Sequence, residues 1–345
     1  MVINSLKLTN FRNFELRELV FCHKNIFFTG PNGSGKSNLL ESISFASLLR
    51  SFRGAATREM VRIGAKELQL QIILENRFGR ERLNITESLS GKRHLAINGQ
   101  PVRRSSDFIR EFHTVVFAPE DREIASGPSG CRRRFFDILI SETEPEYLVR
   151  LSRYHRALLQ RNRALKFFPA SAPAFDAELA EQAPFIARCR RRYAELTGNC
   201  VSQLLTAMGG EFRIIYRTDA ADSASGQLKL LESKRDSELR RQCTLCGIQL
   251  DEFDFIFNGK LLRTYGSTGQ IRLISLLLKM AQFRIIRDKS TIPLVVLADD
   301  VTGELDAKNL ALFLDTVSGA DQKFFTFAEP PRFSLPDSEM IAVGK

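Results

Sequence analysis

Residues 30–37 read Gly-Pro-Asn-Gly-Ser-Gly-Lys-Ser and match the pattern G-x-x-x-x-G-K-[ST]. No other segment restricts the fold so strongly, because the pattern works in one setting only: after a buried strand and at the start of a helix. Both flanks are present. Ile26-Phe27-Phe28 reads as an apolar strand, and Asn38-Leu39-Leu40-Glu41-Ser42-Ile43 reads as a helix. Such a loop turns backbone N–H groups around phosphate oxygens, and the helix N-terminus adds partial positive charge. Gly30, Gly33 and Gly35 permit the turn, with Asn32, Ser34 and Asn38 beside them as candidate nucleotide contacts. Lys36 would reach the β- and γ-phosphates, and Ser37 would offer its hydroxyl to Mg²⁺. A random chain of this length shows the bare pattern roughly once in a hundred; with both flanks in place, chance is a poor explanation. The expected class is α/β, with ATP and Mg²⁺ as ligands.

Leu294-Val295-Val296-Leu297-Ala298-Asp299-Asp300 is a continuous apolar run ending in two carboxylates. A run of this kind suits a parallel strand covered on both faces. Adjacent carboxylates at a strand end repel unless a cation lies between them, so a metal is the natural partner. Asp299 is the candidate Mg²⁺ holder, and Asp300 sits where a catalytic base or water-positioning group would act on the γ-phosphate. Taken alone the pair also fits a turn or a helix cap; following a phosphate loop, it fits the metal site better.

Gly266-Ser267-Thr268-Gly269-Gln270 opens a helix expected at 271–287. By composition it is an ordinary Ser/Thr N-cap. Its position upstream of the acidic strand makes it resemble the signature segment of ABC-type ATPases, a second helix N-terminus able to face an anion. That resemblance implies that Ser267, Gly269 and Gln270 meet the γ-phosphate held by a partner subunit, and hence an ATP-dependent homodimer. Leu305-Asp306 resembles the D-loop of the same interface. Asp300 is one methylene shorter than the Glu common in fast ABC ATPases, which implies slow hydrolysis, with ATP used as a switch.

The 345 residues carry 50 Lys plus Arg against 40 Asp plus Glu, a net charge of +10, which favours an acidic partner such as nucleic acid. Hydrophobic residues at 43% and charged residues at 26% are those of an ordinary soluble protein. The length suggests one large domain and a second lobe. Cys243 and Cys246 form a lone CxxC, enough for a redox pair or two ordinary thiols but not for a four-ligand zinc site. No apolar run is long enough to span a bilayer, and the N-terminus lacks a signal-like core, so a cytoplasmic protein without membrane contact is expected.

The texture changes along the chain. Residues 67–74, 81–86 and 114–117 read as strands, and Asn98-Gly99 as a tight turn. Residues 145–167 and 176–206 read as helices rich in Arg, Leu and Ala. Strand character returns at 211–216 and 253–257, with a Ser-rich loop at 219–226 between them. A helix at 306–317 and a core strand at 323–328 follow the acidic strand. We therefore expect an ABC-type P-loop head with a mixed sheet, built from 1–120 and 250–345, and an inserted helical lobe at 121–249.

Several further blocks resemble the RecF family. They are Leu8-Thr9-Asn10-Phe11-Arg12-Asn13-Phe14, the GPNGSGKSN loop, Leu49-Arg50-Ser51-Phe52-Arg53, Val116-Phe117-Ala118-Pro119-Glu120-Asp121, Arg132-Arg133-Arg134-Phe135-Phe136-Asp137 and the run from Tyr154 to Asn162. The resemblance runs from residue 1 to about 328. It implies a short-armed relative of SMC heads that dimerises on double-stranded or gapped DNA, works with a RecR-like mediator and helps to load RecA. It also implies that Arg12 contacts the nucleotide and that 120–121 lies near the Q-loop. Gly247-Ile248-Gln249-Leu250-Asp251-Glu252 departs from the family's GPHRDD-like element, and Ile271 stands where Gln is usual, features of a diverged paralogue.

Arginines gather at 50–62, 103–104, 132–134, 150–163 and 188–192. A helical stripe of them would track phosphates without reading sequence; a solvated face with Glu partners is the plainer reading of any single cluster. The competing function is a nucleotide-gated, SMC-related adaptor that binds proteins rather than DNA. A transporter subunit is disfavoured, since Thr326 stands where such subunits carry His.

Overall fold

The computed structural model describes residues 2–344 apart from 77–78, 207–208, 302, 304, 330 and 332. The chain divides into two compact units. One is built from the chain up to Asp121 and from Arg287 onward, the other from Arg122–Ile286.

The first unit holds two sheets whose sequences differ as their surroundings do. The antiparallel sheet contains β1 (Ile3–Phe11), β2 (Phe14–Val20), β4 (Glu67–Asn76), β5 (Gly79–Ser88), β6 (Arg93–Ile97) and β7 (Gln100–Pro101), in the order β2-β1-β4-β5-β6-β7. Leu83 and Ile85 of β5 are buried while their neighbours are not, the alternation of a sheet with one covered face. The second sheet contains β3 (Asn25–Thr29), β8 (His113–Phe117), β12 (Leu294–Asp299), β13 (Gln322–Phe327) and β14 (Ser338–Ala342), all parallel, in the order β14-β3-β13-β12-β8. Every residue of β8, β12 and β13 is buried, which explains their largely apolar composition. Phe28 stacks on Phe324 at 6.0 Å and Phe21 meets Phe324 edge-on at 5.0 Å, locking β3 to β13.

The helix Lys36–Leu48 touches strands of both sheets, and Leu39, Leu40, Ile43 and Phe45 are buried on it. It ends where Leu49 turns left-handed at φ 52° and returns its N–H to Phe45 O. This sandwiched helix fixes the phosphate-loop segment at the carboxyl end of β3, the usual ligand side of a parallel sheet.

The second unit packs the helices Ser129–Thr143, Pro145–Phe167, Asp176–Leu205 and Ala224–Arg241 with a small antiparallel sheet of β9 (Phe212–Arg217), β10 (Glu252–Phe257) and β11 (Lys260–Leu261), in the order β11-β10-β9. The helix Thr268–Lys289 begins in this unit. Residues 250–286 pack within this unit. The reason is strand pairing: β10 pairs with β9 from Glu252↔Arg217 to Phe257↔Phe212, and Phe253 stacks on Phe136 at 4.0 Å. The Ser-rich segment expected as a loop ends inside a helix: Ser223 is its N-cap and accepts the Gly226 N–H at 3.1 Å. Among the described residues, no helix is long and apolar enough to cross a membrane.

Candidate nucleotide site

The strand order of the parallel sheet brings the phosphate loop and the acidic strand together. β13 lies between β3 and β12, so the loop after Thr29, Thr326 on β13 and the Asp299 end of β12 share one edge. Gly35 caps the helix at φ 102°, and a Cβ there would lie 2.7 Å from both Asn13 Nδ2 and Phe14 Cζ. Only glycine fits that turn. Gly30 is equally confined, since its Cβ would meet Val343 O at 2.4 Å.

Lys36 Nζ curls back into the loop and donates to Gly30 O at 2.8 Å and Pro31 O at 3.0 Å. Lys36 is 5% exposed and its ammonium meets neutral carbonyls, an environment that an anionic phosphate would complement. The buried Ser34 hydroxyl has no hydrogen-bond partner among the described residues. Asn32, Gly33, Gly35, Lys36, Ser37 and Asn38 line a cleft of about 190 Å³, together with Arg53 and Asp300.

Asp299 is 3% exposed. Its Oδ1 accepts from Ser37 Oγ at 2.7 Å and from Thr326 Oγ1 at 2.8 Å, and its Oδ2 lies 3.5 Å from an Arg53 guanidinium nitrogen. A hydroxyl and a carboxylate in contact at a phosphate loop are the protein's share of a Mg²⁺ site, since this ion takes one or two protein oxygens and shares the rest with phosphates and water. The residues present fit that group. Asp300 is exposed, lines the cleft and adopts φ 51°.

A family model described as the RecF/RecN/SMC N terminal domain matches residues 2–328. DNA replication and repair protein RecF of Leptospira biflexa is 33% identical over 94% of this chain and 91% of its own length, and RecF of Leptospira interrogans is 35% identical with the same coverage. The chain belongs to the RecF family. A solved structure of the recombination mediator protein RecF with ATP superposes with a TM-score of 0.91 at 27% identity, over 100% of this chain and 96% of that one. The Smc head domain of Pyrococcus furiosus shares the fold alone, at 16% identity and a TM-score of 0.53.

RecF membership leaves the individual side chains to be placed by geometry. The Arg12 guanidinium, on a residue at φ 55°, donates to both oxygens of buried Glu41 at 2.7 Å and to Glu59 O. It is not among the residues lining the cleft. Its neighbour Asn13 reaches the loop instead, accepting from Asn38 Nδ2 at 2.8 Å. Ser51 also donates to Glu41 and accepts the Arg53 N–H, which ties the segment carrying Arg53 to the phosphate-loop helix. Arg53 at the cleft and Asn13 against Asn38 lie outside the phosphate-loop pattern, and Thr326, marked in the sequence only as the place of a transporter His, meets Asp299. For Arg53 and Asn13 the sequence carries one signal, their place in blocks that resemble the RecF family.

Ser267, Gly269 and Gln270 stand in the second unit, at the tip of the helix Thr268–Lys289. Ser267 N–H donates to Gln270 Oε1 at 2.9 Å, and Gln270 N–H donates to Ser267 Oγ at 3.2 Å. This reciprocal cap leaves Ser267, Thr268 and Gly269 exposed, with open space above Gly269. At the position where the chain departs from the RecF pattern, Gln249 accepts from Tyr154 Oη, and Asp251 pairs with Arg190 at 2.7 Å.

Many of the clustered arginines are paired with carboxylates, Arg132 in the interior and Arg150, Arg153 and Arg192 nearer the surface. Arg132 pairs with Glu252, Arg150 with Glu146, Arg153 with Glu178 and Arg192 with Glu144. Arg161 and Arg190 are buried among carboxylates. The helix at 150–163 is therefore not a uniform cationic stripe, although Arg156 and Arg163 on it are exposed.

Proposed function

We propose that the chain is a RecF-type ATPase of DNA replication and repair, a clamp that closes on DNA when ATP joins two copies. The observation that carries the reading is the meeting of Ser37 and Asp299 at 2.7 Å beside the buried Lys36, at the carboxyl edge of a parallel sheet. Lys36 would donate to the β- and γ-phosphates, and Gly30, Asn32, Gly33, Ser34, Gly35 and Asn38 would enclose the phosphate chain. Ser37 and Asp299 would hold Mg²⁺, whose contribution when bound is to neutralise phosphate charge and align the phosphates. Asp300 would orient the attacking water, with the reach of an Asp rather than a Glu, which favours slow turnover. Arg53 joins this set as a cation at the cleft, and Arg12 would act on the nucleotide from its seat on Glu41.

The exposed cap at Ser267, Gly269 and Gln270 would meet the γ-phosphate of a second copy. On this reading residues 250–345 act with 1–120 as the ATPase head, even though 250–286 pack with the helical lobe, and 121–249 carries the DNA or partner contacts. Its partners on this reading are gapped or double-stranded DNA and a RecR-like mediator, in the cytoplasm; a similar solved structure described as a recombination mediator of the RecFOR pathway and a relative described as a DNA replication and repair protein support the DNA role. The burial of Arg132, Arg161 and Arg190 among carboxylates favours the second reading, an adaptor that binds proteins only. A gel shift with and without ATP separates the two. ATP-dependent retention of DNA, lost on Lys36→Ala, supports the clamp; ATP binding without any DNA retention would leave the adaptor.

A further inference from the structure

We infer that Thr326 is a positioning residue for ATP turnover, its hydroxyl fixing the Asp299 carboxylate and the Asp300 main chain together. The inference rests on the nucleotide reading proposed above. Thr326 comes from β13, and the parallel register sets it opposite Asp299 on one side and Phe28 on the other. Its side chain is 1% exposed.

The direction of each hydrogen bond is forced. The Asp300 N–H can only donate, so Thr326 Oγ1 accepts it at 3.0 Å. An ionised Asp299 can only accept, so the single Thr326 proton goes to Oδ1 at 2.8 Å. Ser37 Oγ donates to the same oxygen, so the Thr326 hydroxyl orients the carboxylate from the strand side while Ser37 meets it from the loop. The backbone supplies a second observation. Asp300 occupies φ 51°, a region that costs a non-glycine residue and persists only where the surroundings enforce it. The hydrogen bond from its N–H to Thr326 is a direct restraint on that conformation. The turn it maintains makes Asp300 line the cleft rather than continue the line of β12.

Thr326→Val keeps the shape and the β-branched preference of a buried strand residue and removes only the hydroxyl. Thr326→Ser restores it. The first assay omits nucleotide and metal: hydrogen exchange at the Asp300 amide, which should be slow in the wild type and in Thr326→Ser and roughly tenfold or more faster in Thr326→Val. The second is steady-state turnover. Loss of a hydrogen bond to a charged group predicts a fall in kcat of roughly tenfold to a hundredfold in Thr326→Val. ATP affinity measured without Mg²⁺ should stay within about twofold, and the Mg²⁺ needed for half-maximal activity should rise. Thr326→Ser should recover most of the rate.

The inference is overturned if Thr326→Val matches the wild type in exchange and in kcat, or if a folded Thr326→Ser is as slow as Thr326→Val. A wild-type protein that neither binds nor hydrolyses ATP would sink the nucleotide reading instead, and the exchange arm reports the hydroxyl's hold on Asp300 in either case.

Discussion

Replacing Arg161 with Met separates a structural arginine from a DNA-facing one. Arg161 has a side-chain exposure of 2%, donates to Asp176 at 2.6 Å and to Thr244 Oγ1 at 2.9 Å, and forms an ion pair with Glu238 at 2.8 Å. Glu238 is wholly buried, and its second oxygen is occupied by the Leu245 N–H. Methionine fills the space but leaves this carboxylate buried without its cation. Removing one partner of a buried pair costs about 3–5 kcal/mol, because the remaining charge keeps its desolvation penalty. In urea this should lower the unfolding midpoint of the helical unit by about 1 M or more. Adding Glu238→Gln should recover part of the loss, since the orphaned charge is then gone. The salt dependence of DNA binding should not change in Arg161→Met. The exposed Arg156 and Arg163 should behave in the opposite way. Ala at both should lower the salt slope, by roughly 1 for each DNA phosphate that these side chains neutralise, and leave the midpoint alone. An Arg161→Met protein as stable as the wild type would refute the reasoning, as would one whose only defect is a shallower salt slope.

Gly35→Ala places a Cβ 2.7 Å from Asn13 and Phe14 at φ 102°, so nucleotide affinity should fall roughly tenfold or more, measured by fluorescent ATP titration; unchanged affinity would contradict the loop geometry. Asp300→Asn should leave ATP binding intact and reduce phosphate release about a hundredfold or more, and undiminished release would remove Asp300 from the mechanism. Glu111, raised from 4.5 to about 7 by burial and by its hydrogen bond and repulsion with Glu81, binds its proton more tightly folded than unfolded. It therefore contributes stability that is present below its unfolded pKa and lost as pH rises through about 7. Glu111→Gln should flatten the urea midpoint across that window, and an unaltered pH profile would show that the carboxyl pair is not coupled to folding.

The phosphate loop and the acidic strand are legible in the sequence because their chemistry is local. A glycine-rich turn before a helix and a buried run ending in carboxylates announce themselves in consecutive residues, and the helices at 145–167 and 176–206 show in the spacing of their apolar positions. What stays hidden depends on partners far away along the chain. The β13 register alone turns Thr326 into a bridge between Asp299 and Asp300. The seat of Arg12 on Glu41 depends on a partner 29 residues away along the chain. The helix Ala224–Arg241 is hard to see because its buried face includes Gln227 and Glu238 beside Leu231, so polar residues break the apolar stripe. For the same reason an arginine-rich run resembles a surface: Arg161 and Arg190 differ from Arg156 only in the carboxylates that the fold brings to them.

Sedimentation of the purified chain with ATP and Mg²⁺, with ADP, and with DNA added to each, tests the clamp most directly. The account predicts a monomer with ADP, a dimer with ATP that DNA reinforces, and a Ser267→Arg protein that binds ATP yet stays monomeric. A wild-type chain that remains monomeric at saturating ATP and Mg²⁺ with DNA present would contradict it.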